Sequence, residues 1–287
     1  MNCGVMPNYR CTAACKHCLY ACDPHWEDEY MTEDTMREVC ETLKKAGCRS
    51  VHIGGGEPFI NFGGLCKLVK MCRKHGIHVD YVETNAYWAD EEERTVRYLN
   101  ELRRAGVDAL CISHDAYHAE FVPPELPKGL AQTCRRVGYG YFLWETQLDR
   151  LRFNGRAVLL EADHVQKKPL ADIQREALRR GACKHLTSTN HFHVDLYGRY
   201  IPPGCTGIVL PLEKIISSNS NGIYPAFDAL YNGGLSALLA LARERGFEPD
   251  PAGYPSVCAC CFHTRKWLSE TGGFAELDRE HYIHAVM

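Results

Sequence analysis

The segment Cys11-Thr12-Ala13-Ala14-Cys15-Lys16-His17-Cys18 places three cysteines in the spacing C-x3-C-x2-C. It follows a short apolar run, residues 3–6, that reads as a first strand. Thiolates bunched this closely can all address one centre, and soft sulfur donors suit an iron–sulfur cluster or zinc. Three ligands on a four-iron cluster leave one iron open, much as catalytic metal sites keep a position free for substrate.

Outward from this loop, apolar strands alternate with helices. Thr32 predicts an N-cap for a helix reaching Ala46, with Glu33 and Asp34 in its first turn and Gly47 at its end. A short strand over 50–53 then runs into Gly54-Gly55-Gly56-Glu57-Pro58. Helices are predicted over 65–75 and from the Asp90 cap to Ala105, separated by a strand over 78–83 and followed by one over 109–113. Such alternation predicts βαβ units and a parallel sheet. Beyond Asp115 the pattern loosens at Pro123, Pro124 and Pro127. A helix near 130–137 leads to an aromatic strand over 139–144, residues 150–161 fit neither template, and 169–180 reads as helix.

From Gly181 the character changes. Residues 191–200 alternate like a strand and turn near Tyr197-Gly198, residues 217–222 form a polar loop, 234–245 a helix, and 249–255 a Pro/Gly-rich linker. The expected organisation is therefore two parts, 1–180 and 181–287.

At 287 residues, 45% of them hydrophobic and 24% charged, the chain can bury a sizeable core. A net charge of -3 and a pI near 6.5 offer no basic field for a nucleic-acid backbone. No run approaches the roughly 20 apolar residues of a membrane span, and no basic-then-apolar export signal opens the chain, so a cytoplasmic protein is expected. In that setting sixteen cysteines point to metal rather than to a disulfide framework. Cys40, Cys66, Cys72, Cys111 and Cys134 fall inside helix or strand patterns and read as small buried hydrophobes, while Cys3, Cys22 and Cys48 stay unassigned. His191 and His193 share one strand face, as two ligands would. Most lone histidines are structural, however, and they suggest no additional metal at this level.

The cysteine spacing after a first strand and Gly-Gly-Glu-Pro after a second resemble the radical S-adenosylmethionine (SAM) superfamily over about residues 3–160. The resemblance implies an α/β fold, a partial (β/α)6 TIM-like barrel with a small α+β extension. It also implies a [4Fe–4S] cluster on Cys11, Cys15 and Cys18, with SAM chelating the open iron. One electron then breaks the C5′–S bond to give a 5′-deoxyadenosyl radical, which the protein must shield from water and oxygen. His17 stands where the family usually has an aromatic residue, and can still stack near the adenine. Gly55, Gly56 and Glu57 would meet the SAM amino group through the carboxylate or adjacent carbonyls. Asn85 and Ser113, at strand ends that form the active-site face of α/β barrels, are candidates for ribose or carboxylate contacts. Asp115, Tyr117 and His118 follow on that face, and Arg156 is a candidate partner for the SAM carboxylate. A structural zinc site completed by His17 or Cys22 is the bland alternative for the cysteine loop. Plain turn and cap residues, or a surface arginine, are the alternatives for the rest.

Cys183 and Cys205 flank the turn at Gly198, and Cys258-Ala259-Cys260-Cys261 arrives later. This resembles a twitch or SPASM auxiliary-cluster extension, implying a second [4Fe–4S] cluster on Cys183, Cys205, Cys258 and Cys261, with Cys260 able to replace either of the last two. Too few cysteines remain for two auxiliary clusters. Zinc, with His263 or His185 as a possible fourth ligand, and unligated buried cysteines are the alternatives. The expected activity is hydrogen abstraction from a peptide, as in a ribosomal peptide maturase. Alternatives are dehydrogenation or rearrangement of a small metabolite, sugar or nucleotide, or a non-catalytic iron–sulfur or zinc protein. A reductase, flavodoxin or ferredoxin would donate electrons. A leader-peptide-binding partner protein is expected, since no N-terminal leader-binding domain is visible.

Overall fold

A computed structural model of the chain describes residues 1–146, 153–160, 166–215 and 222–287. These fold into two compact units, each assembled from separated stretches. The first comprises 1–15, 22–149 and 189–200, and the second 16–21, 150–188 and 201–287. The division expected at residue 180 does not coincide with them. Most of the polar loop expected at 217–222 lies outside the described residues, as does part of 150–161.

The first unit is built on a parallel sheet. Strands β1 (Cys3–Val5), β2 (Ser50–Ile53), β3 (His78–Thr84), β4 (Ala109–Ser113) and β5 (Gly140–Trp144) pair in succession, each parallel to the next. In β1 and β2 the buried apolar residues alternate, as in Cys3 and Val5 or Val51 and Ile53, because successive strand side chains point to opposite faces. Helices α1 (Glu33–Lys45), α2 (Phe62–Lys74) and α3 (Glu92–Ala105) connect the first four strands. Thr32 caps α1 by accepting from the Thr35 amide at 3.1 Å, and Gly47 takes φ +82° beyond its end, as the sequence predicts. A single turn, α4 (Ala116–Ala119), and α5 (Glu125–Arg136) lead to β5. Helix α5 starts five residues before the predicted 130, since a proline in the first turn of a helix forfeits no hydrogen bond.

The expected sixth strand is placed differently from a sequential (β/α)6 barrel. Strand β6 (Phe192–Val194) pairs in parallel with β1, Gly4 opposite His193, rather than with β5. The sheet is open, in the order β5-β4-β3-β2-β1-β6, and the turn at Gly198 leads from β6 into β7 (Arg199–Ile201). The hairpin read as part of a C-terminal extension thus belongs largely to the first unit, because β1 offers β6 an apolar, hydrogen-bonding edge.

The second unit is mainly helical, with α6 (Leu170–Arg180), α7 (Pro225–Arg243), α8 (Val257–Thr271) and α9 (Arg279–Val286). The helix expected to begin at Gly234 begins at Pro225 and breaks at Gly234, whose φ of 64° and lack of a side chain admit the Gly181 carbonyl. Among the described residues no helix is long and apolar enough to cross a membrane.

Candidate active site

The chemistry-bearing residues of the first unit gather at the C-terminal ends of β1 to β4, where parallel α/β sheets bind ligands. The glycine-rich turn after β2 lies directly on the backbone that leads into Cys11. The Gly56 amide donates to the Asn8 carbonyl and the Glu57 amide to the Arg10 carbonyl, each at 2.9 Å. A β-carbon on Gly56 would run into the Arg10 carbonyl, and one on Gly55, at φ +115°, would come within 2.8 Å of the Asn8 carbonyl. The glycines are therefore fixed by close backbone approach. Asn8, which sequence reasoning passed over, binds both sides of this contact: its amide donates to the carbonyls of Arg10 at 3.0 Å and Glu57 at 3.1 Å.

Glu57 is buried, and its carboxylate is engaged within the protein. It accepts from the Phe59 amide at 3.2 Å, the Thr84 hydroxyl at 3.0 Å and the Asn85 amide at 2.8 Å. Burial pushes its pKa up to about 7, against the pull of those three hydrogen bonds. Glu57 thus ties the glycine turn to the end of β3. Asn85 extends the chain of contacts, its side-chain amide donating to the Thr12 hydroxyl at 3.0 Å and pointing at the Cys11 sulfur at 3.7 Å. Thr12 is a second residue that sequence reasoning passed over.

A cavity of about 490 Å³ opens beside this point, lined among others by Asn85, Ser113, Asp115, His118, Lys128 and Glu145. Asp115 is occupied as a cap: one oxygen accepts from the Tyr117 and His118 amides and from His118 Nδ1 at 2.8 Å, the other from the Thr146 amide at 3.1 Å. His118 and Ser113 are half-buried at the cavity wall.

The cysteine loop is divided between the units. Cys11 and Cys15 fall in the first, whereas residues 16–21, with His17 and Cys18, fall in the second. There the Cys18 carbonyl accepts from the Arg156 amide at 3.0 Å. Arg156 is not a surface arginine. It is buried, and its guanidinium donates to the carbonyls of Ala21 at 2.9 Å and His284 at 3.1 Å. All sixteen cysteines are thiols without a disulfide, which leaves the three of the motif chemically available to a soft metal centre.

The later cysteines share one neighbourhood of the second unit. Cys258 is exposed and Cys261 half-buried one helical turn further along α8, so both project from one face. Cys260 is fully buried on another face of the helix. Burial pushes the Cys183 thiol up to about 11, reinforced by Cys261 and Cys258. Burial likewise pushes Cys205 up to about 12, with Arg265 opposing and the other three thiols reinforcing it. Electrostatic coupling thus runs among Cys183, Cys205, Cys258 and Cys261. His185 Nε2 lies 3.6 Å from the Cys205 sulfur.

Among the described residues, the groups whose ligand atoms all fall within 4.8 Å of one another do not include these thiols. Arg265, four residues beyond Cys261 on α8, is fully buried beside them and hydrogen-bonds to Cys261. Its guanidinium also donates to the Thr206 carbonyl, to the Tyr282 hydroxyl at 2.8 Å and to Asn154 Oδ1 at 3.4 Å. The i,i+4 spacing from Cys261 was the signal available in the sequence.

A family model described as the Radical SAM superfamily matches residues 5–152. The chain is 28% identical over 128 residues to a protein of Bacillus subtilis (strain 168) described as "Putative peptide biosynthesis protein YydG", covering 44% of this chain and 40% of that relative's length. Among solved structures, Streptococcus suis SuiB bound to precursor peptide SuiA is similar with a TM-score of 0.52 at 14% identity, over 90% of this chain and 75% of that one. BtrN in complex with AdoMet and 2-DOIA is similar with a TM-score of 0.52 at 17% identity, over 82% and 88%. At such identities the structural likenesses speak for the fold alone.

Proposed function

The chain belongs to the radical SAM superfamily, and on that premise we propose that it modifies a peptide by hydrogen abstraction. The observation that carries the choice of substrate is the sequence likeness to a peptide-biosynthesis relative. When bound, a [4Fe–4S] cluster and SAM would supply a 5′-deoxyadenosyl radical for that abstraction.

The chain's own part follows from its residues. Cys11, Cys15 and Cys18 would hold the cluster, and the thiol donor set with Asn85 beside Cys11 fits such a group. The turn at Gly54, Gly55 and Gly56 would receive the SAM amino group on its backbone carbonyls, since the Glu57 carboxylate is committed to Phe59, Thr84 and Asn85. Glu57 then acts as a positioning residue. Ser113 and His118 would orient substrate in the adjacent cavity, whose volume suits one or two amino-acid residues or a small metabolite. His17 would lie against the adenine. In the second unit, Cys183, Cys205, Cys258 and Cys261 would hold an auxiliary [4Fe–4S] cluster, with Arg265 offsetting part of its negative charge. A flavodoxin- or ferredoxin-type donor in the cytoplasm would deliver the electron, and a leader-binding protein would present the peptide.

A second reading, oxidation or rearrangement of a small metabolite, is favoured by the size of the cavity at the strand ends, about 490 Å³, which would admit such a molecule. Anaerobic turnover with reductant, SAM and side-chain-deuterated precursor peptides separates the two. Deuterium should appear in 5′-deoxyadenosine. Deuterium arriving only from a sugar, alcohol or nucleotide would establish the second reading, and no 5′-deoxyadenosine with any donor would sink both.

A further inference from the structure

A second polar cluster lies on the opposite side of β1 and β2 from their helix-facing apolar residues, within the first unit and apart from every cysteine assigned above. His52 projects from β2 and His193 from β6, and both register opposite Gly4 of β1. Their Nε2 atoms are 3.4 Å apart. A β-carbon at Gly4 would sit 2.5 Å from each of those nitrogens, so the approach of the two rings requires glycine there. His191, two residues before His193, adds a third imidazole, and the ligand atoms of His52, His191 and His193 all lie within 4.8 Å of one another. Glu83 of β3 brings a carboxylate oxygen 3.7 Å from His52 Nε2.

We propose that His52, His191 and His193, with Glu83 as fourth donor, form a binding site for a divalent first-row metal ion, zinc being the best match. The geometry is the main argument. Two nitrogens bound to one tetrahedral zinc at about 2.0–2.1 Å stand about 3.3–3.4 Å apart, which is the spacing His52 and His193 already hold. Three imidazoles and a carboxylate are borderline donors of the kind that take zinc rather than magnesium or calcium. Access is open, since His191 is exposed and Glu83 is 40% exposed at its side chain. The ion would join β2 and β3 to β6, a three-residue strand that arrives from more than a hundred residues further along the chain. The site would therefore staple the late strand onto the early sheet. A plain hydrogen bond between the two buried imidazoles is the competing account, and it needs neither His191 nor Glu83.

The test uses the 287-residue chain with its iron centres reconstituted, dialysed against buffered zinc. Iron and zinc are counted on the same sample, and zinc absorption spectroscopy reads its neighbours. The expected result is one zinc per chain beyond any bound by a His193→Gln variant, with nitrogen and oxygen neighbours at about 2.0 Å. His191→Ala, at an exposed position that cannot unfold the sheet, should weaken zinc binding at least tenfold while leaving iron content unchanged. Absence of zinc at micromolar free metal, sulfur neighbours at about 2.3 Å, or unchanged affinity in His191→Ala would each overturn the proposal.

Discussion

Replacing Glu57 with glutamine tests whether this carboxylate braces the glycine turn. In the native chain one oxygen accepts from the Phe59 amide and the Thr84 hydroxyl, the other from the Asn85 amide. Glutamine keeps one acceptor, so one backbone N–H must face an N–H. The Thr84 oxygen already accepts from the Ala86 amide and from Trp88 Nε1, so its O–H, like a backbone amide, has no other direction in which to turn. A buried donor left without a partner costs about 1–3 kcal/mol.

A second effect has the opposite sign and depends on pH. The folded carboxyl titrates near 7 and the unfolded one near 4.5, so its contribution to stability is fully present below 4.5 and is lost as pH rises through 7. Between pH 5.5 and 8 the loss is about 2 kcal/mol, at about 1.4 kcal/mol per pH unit up to 7. That corresponds to about a 30-fold rise in local opening. Glutamine does not titrate and removes this slope. Amide exchange, corrected for intrinsic rates, should be followed in peptides covering 57–61 and 84–88 of the reconstituted, SAM-free protein. The wild type should lose protection with rising pH and Glu57→Gln should not. At pH 5.5 the variant should exchange faster, and by pH 8 the two should converge. A wild type with no pH-dependent opening, or a variant with the same slope, would refute the buried-brace account.

Other substitutions probe the remaining assignments. Cys15→Ala should abolish SAM cleavage, measured as 5′-deoxyadenosine, and retained turnover would contradict its role as a cluster ligand. Cys258→Ala should lower the iron content by about four per chain while Cys260→Ala leaves it intact; equal iron in both would remove the auxiliary-cluster assignment. Arg265→Gln removes the charged donor to Asn154, Thr206, Tyr282 and Cys261, a change expected to cost about 1.5–3 kcal/mol. Its melting temperature and auxiliary iron should both fall, and a variant matching wild type in both would show that the guanidinium is dispensable.

Local chemistry made much of this protein legible in the sequence. Strands 50–53 and 109–113 lie where their apolar runs and flanking turn residues put them, because each strand must bury a period-two face. Helix α1 begins at its Thr32 cap for an equally local reason. The metal-seeking cysteine loop and the Gly-Gly-Glu-Pro turn are likewise read from adjacent residues, since thiolate spacing and glycine content need no knowledge of distant chain.

What depended on pairing across long separations was not legible. Nothing near Phe192 says that β6 will join β1 rather than β5; the edge hydrogen bonds of a strand carry no sequence label. The same blindness hid the gathering of His52, His191 and His193 opposite Gly4, which exists only once three strands lie side by side. Glu57 illustrates both sides. The motif announced a carboxylate at the site, while only the fold turned that carboxylate inward, because Phe59, Thr84 and Asn85 present three hydrogen-bond donors that a buried acceptor must satisfy. Residue type and spacing determined which chemistry the chain carries. Tertiary structure decided which atoms of those residues face a ligand, because burial and partner donors are properties of neighbours brought together by folding.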